Sequence, residues 1–137
     1  MKKLVYLSGC MDGVSIEEGN TWRKKATEFL NLRGLDTFNP YDIHPTGGNY
    51  EPNEIHNNDV YYLDRSDVIL VNLDIPNMIE SSKIPFFTIG EMYLAHAARK
   101  PIVAYTNCLA NRLSYKAIVT KSFTNLEDAM EYIASTY

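Results

Sequence analysis

Short apolar runs alternate with helical stripes along this chain of 137 residues, and this order predicts an α/β protein. Runs of this kind suit strands that are buried on both faces of a parallel sheet. They occupy residues 4–7, 36–38, 68–73 and 102–105, with a smaller one near 117–119. Apolar positions at helical spacing predict helices over residues 16–32, 54–66 and 88–98, and a last helix that opens with Thr124.

This order of elements predicts one domain over residues 1–137 with a Rossmann-like, flavodoxin-like fold. Its three layers would place helices on both faces of a central, mostly parallel sheet of four to five strands. A long polar stretch at residues 41–52 interrupts the pattern, and we expect it to be a flap over a site. Its His44 is interpreted as a solvated loop histidine, with ligand contact as the alternative.

Two carboxylates carry the candidate chemistry. Asp59 shares an apolar helical stripe with Ile55 and Leu63, where a carboxylate is costly unless it is paired or used. Glu91 ends a T-x-x-E pattern that would open the helix after a buried strand, at the carboxyl edge of the sheet. Paired carboxylates are typical of glycosidic bond chemistry. The alternatives remain that Glu91 only closes a capping box and that Asp59 only caps a neighbouring backbone.

Composition narrows the class of partner. A formal net charge of −4 argues against a surface for polymeric nucleic acid, although a small nucleotide ligand stays open. Cys10 and Cys108 lie far apart outside any CxxC motif, which favours reduced thiols and a cytoplasmic location. No apolar run has the length to span a membrane. The histidines and cysteines show no spacing that would support a metal site.

The loop from Gly9 to Gly13 follows the first strand and would allow a ligand to approach the backbone closely. It is not a GxGxxG sequence, and it lacks the lysine of a P-loop. A tight strand-to-helix turn is the alternative interpretation.

A set of motifs spread along most of the chain resembles the nucleoside 2-deoxyribosyltransferase family and its relatives, the deoxynucleoside 5′-monophosphate N-glycosidases. The specific part is a helix aspartate, an aspartate that opens a strand and a glutamate near the start of the next helix. The motifs are V-Y-L-S-G at 5–9, W-R at 22–23, F-N-P at 38–40, I-H-x-x-D at 55–59, S-D-V-I-L-V at 66–71, T-x-x-E at 88–91, K-P at 100–101 and R-L-S at 112–114.

The resemblance implies a role for each matched residue. Glu91 would be the nucleophile that attacks C1′ of the deoxyribose, and Asp59 would contact the leaving base and assist its protonation. Tyr6 would orient the nucleophile. Ser114 would cross from a neighbouring subunit to bind the 5′ group, which implies a homo-oligomer with a dimer as its minimal unit. The other implied substrate-binding residues are Ser8, Gly9, Cys10, Asp12, Asn39 and Gly90. The resemblance implies no metal and no organic cofactor.

The chain departs from the family pattern near the nucleophile, with Phe87 where a glycine is usual and Pro85 where transferases often carry an aspartate. Asp12 stands where monophosphate-specific relatives have an arginine, which favours nucleosides over 5′-monophosphates, although Lys83 or Arg112 could supply a positive charge. We therefore expect a deoxyribosyltransferase that passes the sugar to another nucleobase. The alternatives are a hydrolase that uses water as acceptor and a non-catalytic nucleotide-binding module.

Overall fold

Five parallel strands form the centre of the molecule in a computed structural model that describes residues 2–11, 13–44, 48–75 and 85–137. The strands lie in the order β2-β1-β3-β4-β5. This flavodoxin-like order confirms the predicted fold class, with every strand pair parallel. The strands are β1 (Leu4–Gly9), β2 (Asp36–Phe38), β3 (Val68–Asn72), β4 (Ile102–Tyr105) and β5 (Lys121–Phe123).

Helices cover both faces of the sheet. On one face α1 and α6 pack over a cluster that includes Val5, Leu7 and Leu70. On the other face α3, α4 and α5 pack over a cluster that includes Tyr6 and Ile69. The helices are α1 (Ile16–Leu32), α2 (Pro40–Ile43), α3 (Pro52–Arg65), α4 (Phe86–Ala97), α5 (Leu113–Ile118) and α6 (Leu126–Thr136).

The predicted bounds of α1, β2 and β4 match the structure, because caps and breakers mark them in the sequence. The Ser15 hydroxyl accepts a hydrogen bond from the backbone N–H of Glu18 at the start of α1. After α1, Gly34 adopts a positive φ of 83° that glycine tolerates without steric cost. Within the described ranges, no helix is both long and apolar enough to cross a membrane.

Three local predictions were wrong. The helix α4 begins at Phe86, so Thr88 is a buried residue inside the first turn and not an N-cap. Asn125, and not Thr124, caps α6 by accepting a hydrogen bond from the Asp128 N–H at 2.8 Å. Residues 117–119 lie in α5 and just after it, and the fifth strand is the polar segment Lys121–Phe123 that pairs with β4.

The stretch predicted as a flap contains helix, since α2 occupies Pro40–Ile43 and α3 already begins at Pro52. Residues 45–47 of that stretch lie outside the described residues, as does Asp12. His44, predicted to be solvated, is instead buried, because α3 packs beside it.

Candidate active site

A cavity of about 510 Å³ opens where β1 ends, between the start of α1, α3 and α4. The cavity lies at the carboxyl edge of the sheet. It is next to the point between β1 and β3 where the order of the strands reverses its direction. Asp59 and Glu91 both line it, so the structure brings the two predicted carboxylates together. The lining residues are Gly9, Cys10, Met11, Arg23, Pro40, Pro52, Ile55, His56, Asp59, Pro85, Phe86, Phe87, Thr88 and Glu91.

Glu91 is a buried carboxylate held by two hydroxyl groups. It lies in the second turn of α4 and is only 6% exposed. The Tyr6 hydroxyl donates to its Oε2, and the Ser8 hydroxyl donates to its Oε1 at 3.0 Å. Burial raises the pKa of Glu91, and the two hydroxyls and the Arg23 charge oppose that rise by stabilising the ionised form. The carboxylate is therefore desolvated, fixed in orientation and adjacent to the cavity.

Strand alternation places both hydroxyls on the same side of β1. Tyr6 and Ser8 are two residues apart, so they point to one face while Val5 and Leu7 point to the other. The Tyr6 ring is fully buried and packs against Phe38 with 5.1 Å between ring centroids. Burial and the charge of Glu91 raise the pKa of Tyr6 far above its ordinary value, so its hydroxyl stays protonated and remains a donor.

Asp59 lies in α3 with a side chain that is 14% exposed. Burial, followed by the negative charge of Glu91, raises the pKa of Asp59 from 3.8 to about 7, while Arg23 opposes the shift. A carboxyl group with this pKa can both give and take a proton near neutral pH. The two carboxyl groups therefore have unequal environments, with Glu91 bound by two hydroxyl donors and Asp59 held at a pKa near neutrality.

Arg23 is a candidate functional residue that was not predicted from the sequence. Its side chain is buried and donates to the backbone carbonyl oxygens of Leu7, Gly9 and Gly19, at 3.3 Å and 2.7 Å for the first two. These bonds hold the end of β1 against the start of α1. The available signal was a charged residue on the apolar side of α1, next to Trp22 and three residues before Ala26.

The remaining predicted residues occupy different surroundings. Gly9 and Cys10 line the cavity, and a Cβ on Gly9 would lie 2.7 Å from the Trp22 ring, so a larger residue does not fit without a shift. Asn39 caps α2 by accepting from the Tyr41 N–H at 3.1 Å, and lies outside the lining. Gly90 and Ser114 are exposed and outside the lining, and Asp12 is not among the described residues.

Aromatic rings at the mouth of the cavity were not predicted as site residues. Phe86 and Phe87 line the cavity and are largely exposed, and the His56 ring lies 5.3 Å from that of Phe87, tilted by 32°. Exposed apolar residues that border a concave site are typical of ligand contact. The signal was available as two phenylalanines directly before the T-x-x-E motif. In the part of the chain that the structure describes, no group of three metal-ligating side chains comes together.

Three solved structures are similar to this chain over nearly its full length. A 2-deoxyribosyltransferase from Bacillus psychrosaccharolyticus matches with a TM-score of 0.70 and 16% identity, covering 94% of this chain and 91% of that one. The CMP N-glycosidase of Clostridium botulinum gives 0.65 and 14%, covering 98% and 100%. A 2-deoxyribosyltransferase from Leishmania mexicana gives 0.72 and 16%, covering 98% and 99%.

No family model and no curated protein matches the sequence significantly. The likeness is therefore one of fold, carried by structure at low sequence identity. The chain has the fold of the 2-deoxyribosyltransferases and of the CMP N-glycosidase, which is the fold that its motifs predict.

Proposed function

We propose that this protein is a nucleoside 2-deoxyribosyltransferase, which cleaves the N-glycosidic bond of a 2′-deoxynucleoside and passes the sugar to another nucleobase. The observation that carries the proposal is Glu91, a buried carboxylate in a cavity, fixed by the hydroxyls of Tyr6 and Ser8. Burying a carboxylate costs folding free energy, so a buried carboxylate that borders a cavity is a candidate for a functional group. The fold neighbours act on N-glycosidic bonds, which agrees with this assignment.

Glu91 is the nucleophile of the proposed reaction. Each of its oxygens accepts one hydroxyl hydrogen bond, which leaves a lone pair free on each. One oxygen forms a bond to C1′ as the C1′–N bond breaks, and the electron pair of that bond goes to the base nitrogen. The product of this half-reaction is a glycosyl ester on Glu91.

Asp59 handles the proton. Because its pKa is raised to about 7, a large fraction of Asp59 is protonated near neutral pH and can donate to the departing base. In the second half-reaction an acceptor base attacks C1′, the bond to Glu91 breaks, and the proton of the attacking nitrogen returns to Asp59. Two inversions retain the configuration at C1′.

The charges around the cavity favour an uncharged nucleoside over a 5′-monophosphate. Among the described lining residues, Arg23 is the one permanent cation, and its guanidinium is directed at three backbone carbonyls. Asp59 and Glu91 would oppose a second negative charge in the same cavity. Phe86, Phe87 and His56 provide flat apolar surface for the nucleobase.

The quaternary structure belongs to the same proposal. Ser114 is exposed on α5, outside the cavity of its own chain. We propose that it reaches the 5′ group in the site of a second subunit of a homo-oligomer. Light scattering coupled to size exclusion should then give at least twice the monomer mass, and Ser114→Ala should raise KM for a deoxynucleoside and leave KM for the free acceptor base unchanged.

Product analysis by liquid chromatography tests the activity. The protein is incubated with a panel of deoxynucleosides, with and without a second free base, beside Glu91→Ala. New deoxynucleoside that appears only with the second base, and is lost in the variant, supports the transferase. Free base released regardless of acceptor would make the protein a hydrolase, with 5′-monophosphates as the next substrates. Ligand binding without turnover, unchanged by Glu91→Gln, would leave a binding module.

A further inference from the structure

Two buried polar atoms face one another behind the cavity. Nδ1 of His44 and Oδ1 of Asp59 lie 3.8 Å apart, and the His44 side chain is 4% exposed. Neither atom has a hydrogen-bond partner among the described residues. Buried polar atoms are nearly always paired, so two that face each other unpaired call for a functional explanation. His44 itself lies outside the cavity lining.

The neighbours of His44 fix which ring nitrogen carries the hydrogen. Its Nε2 lies 3.3 Å from Nδ2 of Asn58, an amide nitrogen that can only donate. Nε2 therefore accepts, and the hydrogen of the neutral ring lies on Nδ1, directed at Asp59. The Tyr50 ring packs edge-on against the imidazole with 5.2 Å between centroids. The imidazole is thus oriented with its Nδ1–H facing the carboxyl group of Asp59.

We propose that His44 is a positioning residue for Asp59, donating its Nδ1–H to Oδ1 when substrate fills the cavity and so directing Oδ2 at the leaving base. The inference rests on the proposed function and deepens it. At 3.8 Å the contact is longer than a hydrogen bond. Such contacts are often long in a free enzyme and shorten in the substrate complex.

In the proposed step His44 donates a hydrogen bond to Asp59 but transfers no proton. As the C1′–N bond breaks, the Oδ2–H of Asp59 transfers its proton to the base, and Asp59 becomes a carboxylate. The Nδ1–H of His44 stabilises that carboxylate and stays on the ring. The charged or titratable groups that act on Asp59 from the other elements are Glu91 of α4, Arg23 of α1 and Tyr6 of β1.

Leaving-group dependence separates this role from a structural one. His44→Leu removes the donor, whereas His44→Asn keeps an N–H the same number of bonds from Cα as Nδ1. His96→Asn, on the exposed end of α4, is the matched control. Substrates are a purine deoxynucleoside and its N7-methylated form, whose cationic base leaves without a proton.

We expect His44→Leu to lower kcat about 10- to 100-fold on the ordinary nucleoside, because the proton donor is misdirected. It should lower kcat less than about threefold on the methylated one, where no proton is needed. His44→Asn should recover most of the loss, and His96→Asn should match the wild type. An equal loss of kcat on both substrates, or no loss at all, would overturn the proposal.

A measurement without turnover keeps the two proposals distinguishable. The side-chain carboxyl carbon of Asp59 is followed by NMR through a pH titration in wild type and in His44→Leu. Because the Nδ1–H already faces Oδ1 at 3.8 Å in the free protein, its dipole favours the ionised carboxylate, and its loss should raise the pKa of Asp59. An unchanged titration contradicts the pairing, whereas absence of turnover in wild type contradicts only the proposed function.

A second variant covers the case in which His44→Leu does not fold. Asn58 is exposed on α3, so Asn58→Ala should be tolerated. It frees Nε2 to carry the ring hydrogen, which withdraws the donor from Asp59. We expect the same selective loss of kcat on the ordinary nucleoside, at a smaller size. Wild-type selectivity between the two substrates in Asn58→Ala would contradict the tautomer assigned here.

Discussion

The two faces of the sheet serve different purposes, although a single strand contributes to both. Under α1 and α6, β1 contributes Val5 and Leu7 to an aliphatic cluster. Under α3 and α4, the same strand contributes Tyr6 and Ser8, which bind the buried carboxylate of Glu91. Because side chains alternate along a strand, successive residues of β1 lie alternately in the aliphatic cluster and beside the Glu91 carboxylate.

Both faces bury an apolar cluster, but the second face also encloses two carboxyl groups. Each large aliphatic side chain fully buried on the first face contributes about 1.5–3 kcal/mol to folding. On the second face, burial of Glu91 and Asp59 opposes folding in their ionised forms, as their raised pKa values indicate. We therefore expect substitutions in the aliphatic cluster of the first face to change stability, and substitutions of the polar groups around Glu91 on the second face to change turnover.

Glu91→Gln should have the largest effect. Without a carboxylate nucleophile, turnover should fall about 10⁴-fold or more. The pKa of Glu91 is higher in the folded than in the unfolded state, so stability falls as pH rises above the pKa of the unfolded state. A neutral glutamine avoids this loss of stability. Thermal unfolding at pH 7 should give a melting temperature at or above that of wild type. The control is Glu28→Gln, exposed on α1; wild-type turnover in Glu91→Gln would contradict the assignment.

Asp59→Asn should lower kcat/KM about 10²- to 10⁴-fold at pH 6, as expected for loss of a general acid. In wild type, kcat/KM should fall as pH rises above about 7, because Asp59 must be protonated to donate. The variant should lack this limb. Wild-type stability should also decline between about pH 4 and 7, and less so in Asp59→Asn.

The matched control for Asp59→Asn is Asp64→Asn, five positions further along α3 and exposed. A pH profile of kcat/KM that is the same in wild type and Asp59→Asn would contradict the proton-transfer role.

Leu30→Ala tests the aliphatic face. Leu30 is fully buried in the cluster under α1 and α6, so truncation should cost about 2–5 kcal/mol of unfolding free energy. The turnover of the folded fraction should remain near that of wild type. Leu32→Ala, two residues away and 83% exposed, is the control and should change stability little. Denaturant unfolding and turnover are measured on the same samples. Loss of turnover without loss of stability in Leu30→Ala would contradict this prediction.

Tyr6→Phe should have the smallest effect of the four. It keeps the buried ring against Phe38 and removes one donor to Glu91, so kcat should fall about 10- to 100-fold. Stability should fall by about 1–3 kcal/mol, because the buried Oε2 of Glu91 remains and loses its donor. Tyr61→Phe, on the exposed side of α3, is the control. Unchanged kcat would show that the Tyr6 hydroxyl does not orient the nucleophile.

Most of the fold could be predicted from hydrophobic periodicity and from the helix caps and helix-breaking residues in the sequence. The bounds of α1 follow from a Ser15 cap, an apolar stripe and Gly34, all of which are local signals. The fifth strand was misplaced because Lys121–Phe123 carries no apolar pattern; it is a strand through its hydrogen bonds to β4. Long-range pairing of that kind has no local signal.

The site was predictable where a residue violated its local pattern. Asp59 on an apolar stripe was such a violation, and the structure places it in the cavity with Glu91. His44 and Arg23 escaped because their partners are distant in sequence. His44 faces Asp59 across 15 positions, and Arg23 binds carbonyl groups on the preceding strand. A contact made only by tertiary packing cannot be inferred from spacing.

The position of the cavity on the sheet has a consequence for how such a site could diversify. Tyr6 and Ser8 are fixed inside β1, an interior strand of the sheet, whereas the cavity mouth is lined by Cys10 and Met11 after β1 and by Phe86 and Phe87 at the start of α4. Residues at these positions could be exchanged without disturbing the groups that hold Glu91. Replacing Phe86 and Phe87 by the residues of a relative should therefore alter the choice of nucleobase and preserve the ability to form a sugar ester, which makes the two properties separately evolvable.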